Sequence, residues 1–235
     1  MIDLTTALSH MKIQHDEYTI KKFYGYMDGI LSWNEKINLT AITDHDEFLV
    51  KHFIDSLICC NYHEFKSAKN IVDVGTGAGF PGVPLAIVSP EKNFVLLDSL
   101  NKRLKIVNQL CNDVGINNVK TVHGRAEDLA RQKEYREKFD LCVSRAVANL
   151  PVLLEYCLPF IKVGGYLMGY KGPEIYSEND ISKNAVNKLG GTVLEIRNAN
   201  LDGFGIDHNI ILIKKLKSTP SKFPRKAGIP SKEPL

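Results

Sequence analysis

Hydrophobic positions recur along this chain at two periods. Phe23, Met27, Ile30 and Leu31 follow i, i+4, i+7 and i+8 and predict one face of a helix. Phe48, Leu49, His52, Phe53 and Leu57 predict another. Between them "WNEKINLTAITD" is polar, carries Asn34 and Asn38, and reads as a loop. From Asn70 short apolar runs alternate with helical patterns. "NIVDVG", "NFVLLDS", "VKTVHG", "FDLCVSRA" and "GYLMGYKG" read as buried strands. "FPGVPLAIVSP" reads as a helix closed by Ser89-Pro90, and "NKRLKIVNQLCNDVG" as a helix ending at Gly115. "AEDLARQKEYRE", "NLPVLLEYCLPFI", halted by Gly164-Gly165, and "ENDISKNAVNKLGG" supply three more. "TVLEIRNA" and "HNIILIKKL" are two final strands with a short loop between them, so they pair most easily as an antiparallel hairpin. After Leu216, the prolines at 220, 224, 230 and 234 predict a chain without regular structure. No internal repeat is visible.

Strands alternating with helices imply a parallel sheet covered on both faces. The expected architecture is α/β, with a Rossmann-like, seven-stranded, mostly parallel sheet. A helical N-terminal region (1–68) precedes the sheet domain (69–216), and a basic, proline-containing tail (217–235) follows it. Such sheets bind ligands at the carboxyl ends of the strands, near the point where strand order reverses.

Composition sharpens this picture. Hydrophobic residues make up 44% of the 235, enough for a substantial core. No apolar run reaches the roughly eighteen residues needed to cross a membrane. "MIDLTTALSHMK" lacks the basic and apolar regions of a secretory signal. The five cysteines (59, 60, 111, 142 and 157) form no C-x-x-C, so a reducing cytoplasm is expected. The net charge of +3 is unevenly placed. From Lys214 to Leu235, seven basic residues and one acid give +6, leaving −3 for the rest. That asymmetry suits a polyanionic partner, or a solvated tail that aids solubility.

The chemistry is concentrated in "NIVDVGTGAGFPGVPLAIV". Gly77, Gly79 and Gly82 fit the dinucleotide fingerprint G-x-G-x-x-G, and Asp73, Gly75, Gly77 and Gly79 fit D-x-G-x-G-x-G, used for S-adenosylmethionine. The first pattern alone is weak evidence. Asp73 lies inside the strand, where a buried carboxylate needs a donor or cation. The methionine ammonium supplies one, whereas a pyrophosphate would be repelled. Pro81 and Pro84 remove N–H donors from the helix start. No second half-site follows the fourth strand; "SRAVANLP" stands there instead. Asp98, closing the second strand, would accept from ribose hydroxyls with either cofactor, or cap the next helix. Ala126 and Glu127 follow the third strand, where an adenine would lie; alternatively Glu127 simply occupies a first helical turn.

Together, "DVGTGAGFPGVPLAI", "LLDSLNKRLK", "GRAED", "VSRAVANL" and "YKG" resemble the ribosomal RNA small subunit methyltransferase G family, also called glucose-inhibited division protein B. "WNEKINLTAI", "KHFIDSL" and the closing "FPRKAGIPSKEPL" are similar too. Gln132 to Lys138 carries no family signal. The resemblance implies a Rossmann-like class I methyltransferase that methylates N7 of a guanine in bacterial 16S ribosomal RNA from S-adenosyl-L-methionine. It implies cofactor contacts at Gly75, Phe80, Asp98, Ser99, Leu100, Ala126, Glu127 and Arg145.

Guanine N7 is a bare lone pair, so no general base is required. Placement of N7, methyl carbon and sulfur in line is what remains, worth up to ~7–11 kcal/mol. Arg145, after the fourth strand, could hold the guanine or a phosphate by a bidentate fork, or form a salt bridge to Glu127 or Asp98. Lys171 could contact guanine O6 or a phosphate, or remain a solvated lysine before a turn. Asn38, His52 and Asp55 could frame the RNA side, although a His on such a helix is more often a core residue. The seven histidines show no ligand spacing, and no metal is expected. The expected partner is 16S ribosomal RNA or the small ribosomal subunit, bound by a monomer. An S-adenosylmethionine-binding RNA chaperone with little turnover and a nicotinamide-dependent oxidoreductase are the competing readings.

Overall fold

The computed structural model describes residues 3–199, 204–206 and 208–235. One sheet contains β1 (Asn70–Val74), β2 (Asn93–Asp98), β3 (Val119–His123), β4 (Phe139–Arg145), β5 (Ile161–Lys171), β6 (Gly191–Asn198) and β7 (Asn209–Lys215). Their order is β3-β2-β1-β4-β5-β7-β6. Parallel pairing runs from β3 to β5, and β7 is antiparallel to both neighbours. The expected β6–β7 hairpin is present; half of its ten-residue loop lies outside the described residues. Ile71 packs into a core on one face of the sheet and Val72 into a core on the other. Both faces are therefore dry, and the strands read as continuous apolar runs.

The N-terminal region folds as α1 (Leu4–His10), α2 (Glu17–Asn34), α3 (His45–Phe48), a π-helical segment (Leu49–Ile54), α4 (Asp55–Leu57) and, after a 3-10 turn (Ile58–Asn61), α5 (His63–Ser67). Asp3, Asp16 and Asp44 cap α1, α2 and α3 by accepting from backbone N–H groups of the first turn. Phe23, Met27 and Ile30 are buried as the periodicity predicts, and they share one core with the sheet residues Ile71, Leu96 and Leu141. Within the sheet domain lie α6 (Gly82–Ile87), α7 (Asn101–Asp113), α8 (Ala126–Leu129), α9 (Leu150–Cys157) and α10 (Ile175–Lys188).

Three local expectations need correction. Trp33 and Asn34 belong to α2, so the polar connection starts later than expected. α8 spans four residues only, and the rest of "AEDLARQKEYRE" forms turns. α9 ends at Cys157, and β5 starts at Ile161, carrying Gly164 and Gly165 within it. Gly164 adopts φ +89°, and the β4–β5 pairing shifts register between Phe139 and Leu141. An irregular stretch of strand explains these glycines better than a helix stop.

The tail departs most from expectation. Its prolines do not prevent structure: Ile229–Lys232 forms α11, with Pro230 in its first turn, where a missing N–H costs nothing. Phe223 is buried, and Arg136 donates to the carbonyls of Thr219 (2.7 Å) and Phe223 (2.9 Å). Arg225 donates from Nε and Nη2 to the buried Glu155, with Nη2 to Oε2 at 2.7 Å. The "PRK" arginine is thus neutralised, and the tail is docked rather than a free basic arm. The segment without family signal, which holds Arg136, supplies part of the dock.

Candidate active site

A cleft of about 830 Å³ opens at the carboxyl ends of β1 and β4, where the strand order reverses. Its floor is the glycine loop. Gly75, Gly77 and Gly79 have φ of +76°, +60° and +93°. A Cβ on Gly75 would meet Val147 Cγ2 at 2.4 Å, so only glycine lets the loop after β4 approach it. Gly79 serves packing: a Cβ there would meet the Tyr26 hydroxyl at 2.4 Å, and that hydroxyl donates to Ala78 O. The N-terminal helix α2 is therefore the back wall of the loop.

Asp73 is fully buried beneath the loop. Its Oδ2 accepts from Thr76 Oγ1 (2.7 Å) and from the Gly82 amide (2.9 Å), while Oδ1 has no partner among the described residues. Burial pushes its carboxyl up to about 6. The first amide of α6 is thus taken by a carboxylate of the protein and is not offered to a phosphate. A buried acceptor without a donor also fits the cationic methionine end of S-adenosylmethionine. Asp98 closes β2, with Oδ2 accepting from Gly77 N and Oδ1 from Leu100 N, both at 2.8 Å. It anchors the loop to β2; the N-cap position of α7 is Leu100, and no side chain, Asp98 included, caps the helix. Ser99 and Leu100 are exposed beside it. Glu127 is buried at the start of α8, with Ala126 half-buried before it, and its Oε1 accepts from the Gly228 amide at 2.9 Å.

Phe80 turns toward the N-terminal helices. His52 stacks on it at 4.4 Å with the rings nearly parallel, and Phe48 and Phe53 meet its edges. Burial pushes His52 down to about 4, so the ring is neutral near pH 7. Its Nε2 lies 2.7 Å from Thr40 Oγ1.

Arg145 forms neither expected salt bridge. Nη1 donates to Asp55 Oδ2 (2.5 Å) and to Lys51 O (3.0 Å), and the guanidinium sits 5.6 Å from the Phe80 ring centre. The π-helical turn assists this contact. The Asp55 amide bonds Val50 O, one residue further back than in an α-helix, and the Lys51 carbonyl accepts from Arg145. Asp55 Oδ1 lies 2.7 Å from His208 Nδ1. Ala146, next to Arg145, has φ +56°, a conformation that costs non-glycine residues about 1–3 kcal/mol at functional sites. Lys171 is not solvated: it pairs with Glu178 at 2.7 Å and donates to Ala148 O at 2.9 Å. The "SRAVANL" loop is therefore held at both ends.

Of the candidate residues, Gly75, Gly77, Phe80, Arg145 and Lys171 line the cleft. Asp98, Ser99, Leu100, Ala126 and Glu127 lie outside it, along β2 and β3. Asn38 is exposed and does not line it. His52, Asp55 and His208 do, and the last two pair with each other; "KHFIDSL" hinted at His52 and Asp55, and nothing in the local sequence marked His208. Among the described residues no group of side chains could hold a metal ion.

The profile of the rRNA small subunit methyltransferase G (GidB) family matches residues 19–203. The chain belongs to that family. The ribosomal RNA small subunit methyltransferase G of Clostridium perfringens (strain 13 / Type A) is 51% identical over 225 residues, covering 96% of this chain and 93% of its own. That of Clostridium kluyveri is 50% identical over 232 residues, covering 99% and 97%. The fold resembles cofactor-bound Rv0187 from MTB (TM-score 0.59, 15% identity, 82% of this chain and 90% of that one). It also resembles the Methanococcus jannaschii fibrillarin pre-rRNA processing protein (TM-score 0.52, 18% identity, 67% and 71%). These two likenesses concern the fold alone.

Proposed function

We propose that this chain transfers the methyl group of S-adenosyl-L-methionine to N7 of a guanine in 16S ribosomal RNA, on the RNA or the small ribosomal subunit, as a cytoplasmic monomer. Family membership sets the reaction class. The observation that carries the cofactor assignment is Asp73: its carboxylate takes the α6 amide, and its second oxygen is buried without a donor among the described residues. Gly75 and Gly77 would hold the methionine part of the cofactor, Asp98, Ser99 and Leu100 the ribose side, and Ala126 and Glu127 the adenine. When bound, the cofactor supplies an activated methyl group.

The protein's own task is placement and charge. N7 carries no proton, so no side chain has to remove one. The reaction leaves a cationic purine, which an unpaired arginine or a protonated histidine would oppose. Here Arg145 is neutralised by Asp55, and His52 is kept neutral by burial. Arg145 and Lys171 would line the base side of the cleft, each fixed by a carboxylate and a carbonyl. A target that reaches this depth must be splayed from its helix, because the A-form major groove is too narrow to read. Five buried cysteines, all free, suit a reducing compartment. No described helix is long and apolar enough to cross a membrane.

The test is transfer of tritiated methyl to RNA and to 30S subunits from a strain lacking the enzyme, with the product mapped. Label at guanine N7 is expected. Tight S-adenosylhomocysteine binding without transfer to either substrate would instead mark a non-catalytic RNA-binding protein.

A further inference from the structure

The closing string "FPRKAGIPSKEPL" takes no part in the chemistry above, yet it touches two buried carboxylates. Glu155 on α9 is fully buried and holds the Arg225 backbone amide (2.7 Å) as well as its guanidinium. Glu127 is only 2% exposed and holds the Gly228 amide through Oε1. Gly228 adopts φ +84°, which turns its N–H toward α8 just before α11 begins. A Cβ at this position would meet nothing within 4 Å, so its glycine answers to the turn and not to crowding. Without that donor the buried Glu127 carboxylate would lose its hydrogen bond from the tail, and it would swing from its place.

We infer that the C-terminal tail is a positioning element of the cofactor site: the Arg225–Glu155 latch sets the Gly228 amide, and that amide aims Glu127. The inference rests on the reading of Glu127 as the adenine contact. An ionised carboxylate accepts from the adenine 6-amino group and repels a 6-oxo group. Aiming Glu127 therefore governs discrimination between adenosyl and inosyl ligands, and Arg225 acts at a distance through it. This role differs from that of a phosphate-binding arm, because Arg225 has already spent its charge on Glu155.

The test is calorimetric titration of the full-length protein with S-adenosylhomocysteine and with S-inosylhomocysteine. Wild type is expected to prefer the adenosyl ligand by about tenfold or more, the worth of one charged hydrogen bond. Arg225→Ala and Gly228→Val should weaken S-adenosylhomocysteine binding roughly three- to tenfold and leave S-inosylhomocysteine binding nearly unchanged, so the preference shrinks toward one. Glu127→Gln should remove the preference, and adding Arg225→Ala to it should cost nothing further. If Glu127→Gln removes the preference but the tail variants keep it, or weaken both ligands alike, the positioning role is wrong and the adenine reading stands. If Glu127→Gln keeps the preference, the adenine reading fails and the inference with it. A Cβ at Gly228 meets nothing within 4 Å, so Gly228→Val acts through the turn and decides the matter should Arg225→Ala fail to fold.

Discussion

Arg145 Nη1 lies 2.5 Å from Asp55 Oδ2, joining the end of β4 to a helix 90 residues earlier in the chain. Asp55 is 1% exposed and the Arg145 side chain 12%. A pair this dry is costly to break from one side, because without Asp55 the guanidinium would keep the Lys51 carbonyl and the Phe80 ring but lose its carboxylate. The contact closes the cleft wall, fixes the strained Ala146 beside it, and cancels a positive charge where a cationic product would form.

Asp55→Ala should therefore destabilise the protein by about 3 kcal/mol or somewhat more. For a chain of this size that corresponds to a melting temperature lower by roughly 6–12 °C. Methyl transfer should fall far more than S-adenosylhomocysteine affinity, since Asp73, Asp98 and the glycine loop remain. Thermal melts beside single-turnover transfer check this; an unchanged melting temperature would show that the pair contributes no stability.

Asp73 gives a pH signature. Its folded value is raised to about 6 from 3.8, so the native state binds its proton more tightly than the unfolded chain. The associated stability is fully present below about pH 4 and is lost as pH rises to about 6, by roughly 3 kcal/mol. Asp73→Asn should remove this component. The check is the difference in urea stability between wild type and variant from pH 4 to 7, without ligand. A difference that does not change with pH would sink the burial argument.

His52 should act with the opposite sign over an overlapping window. Its folded value is depressed to about 4 from 6.5, so its contribution is present above pH 6.5 and lost as pH falls toward 4. In an NMR titration its ring resonances should remain those of neutral imidazole down to about pH 5. Titration near 6.5 would mean that the stack on Phe80 is open to water.

Two glycine substitutions should separate crowding from strain. Gly75→Ala combines φ +76° with a Cβ 2.4 Å from Val147, whereas Gly77→Ala carries only the strain of φ +60°. The left-handed conformation costs an L-residue about 1–2 kcal/mol. Gly77→Ala should weaken S-adenosylhomocysteine binding modestly, and Gly75→Ala should abolish it while leaving far-ultraviolet circular dichroism intact. Equal affinities would remove the special role of Gly75.

The sequence by itself determined the layered architecture, the β6–β7 hairpin and the placement of the glycine loop. These depend on local information: the period of burial, the run of dry strand residues, and the left-handed turns that only glycine makes easily. The family motifs added the residues to look for. Only the tertiary structure decided what those residues hold. Arg145 meets Asp55 and not Glu127 or Asp98, Glu127 meets Gly228, and Glu155 meets Arg225. Each partner comes from a distant segment, and nothing in the spacing of a charged residue says which distant segment will fold against it. The prolines of the tail suggested a chain without regular structure, and that expectation failed at α11, where Pro230 fits the first turn. Structure there rests instead on Arg136, Glu155 and Glu127 catching carbonyls, a guanidinium and an amide, and such contacts leave no period in the sequence.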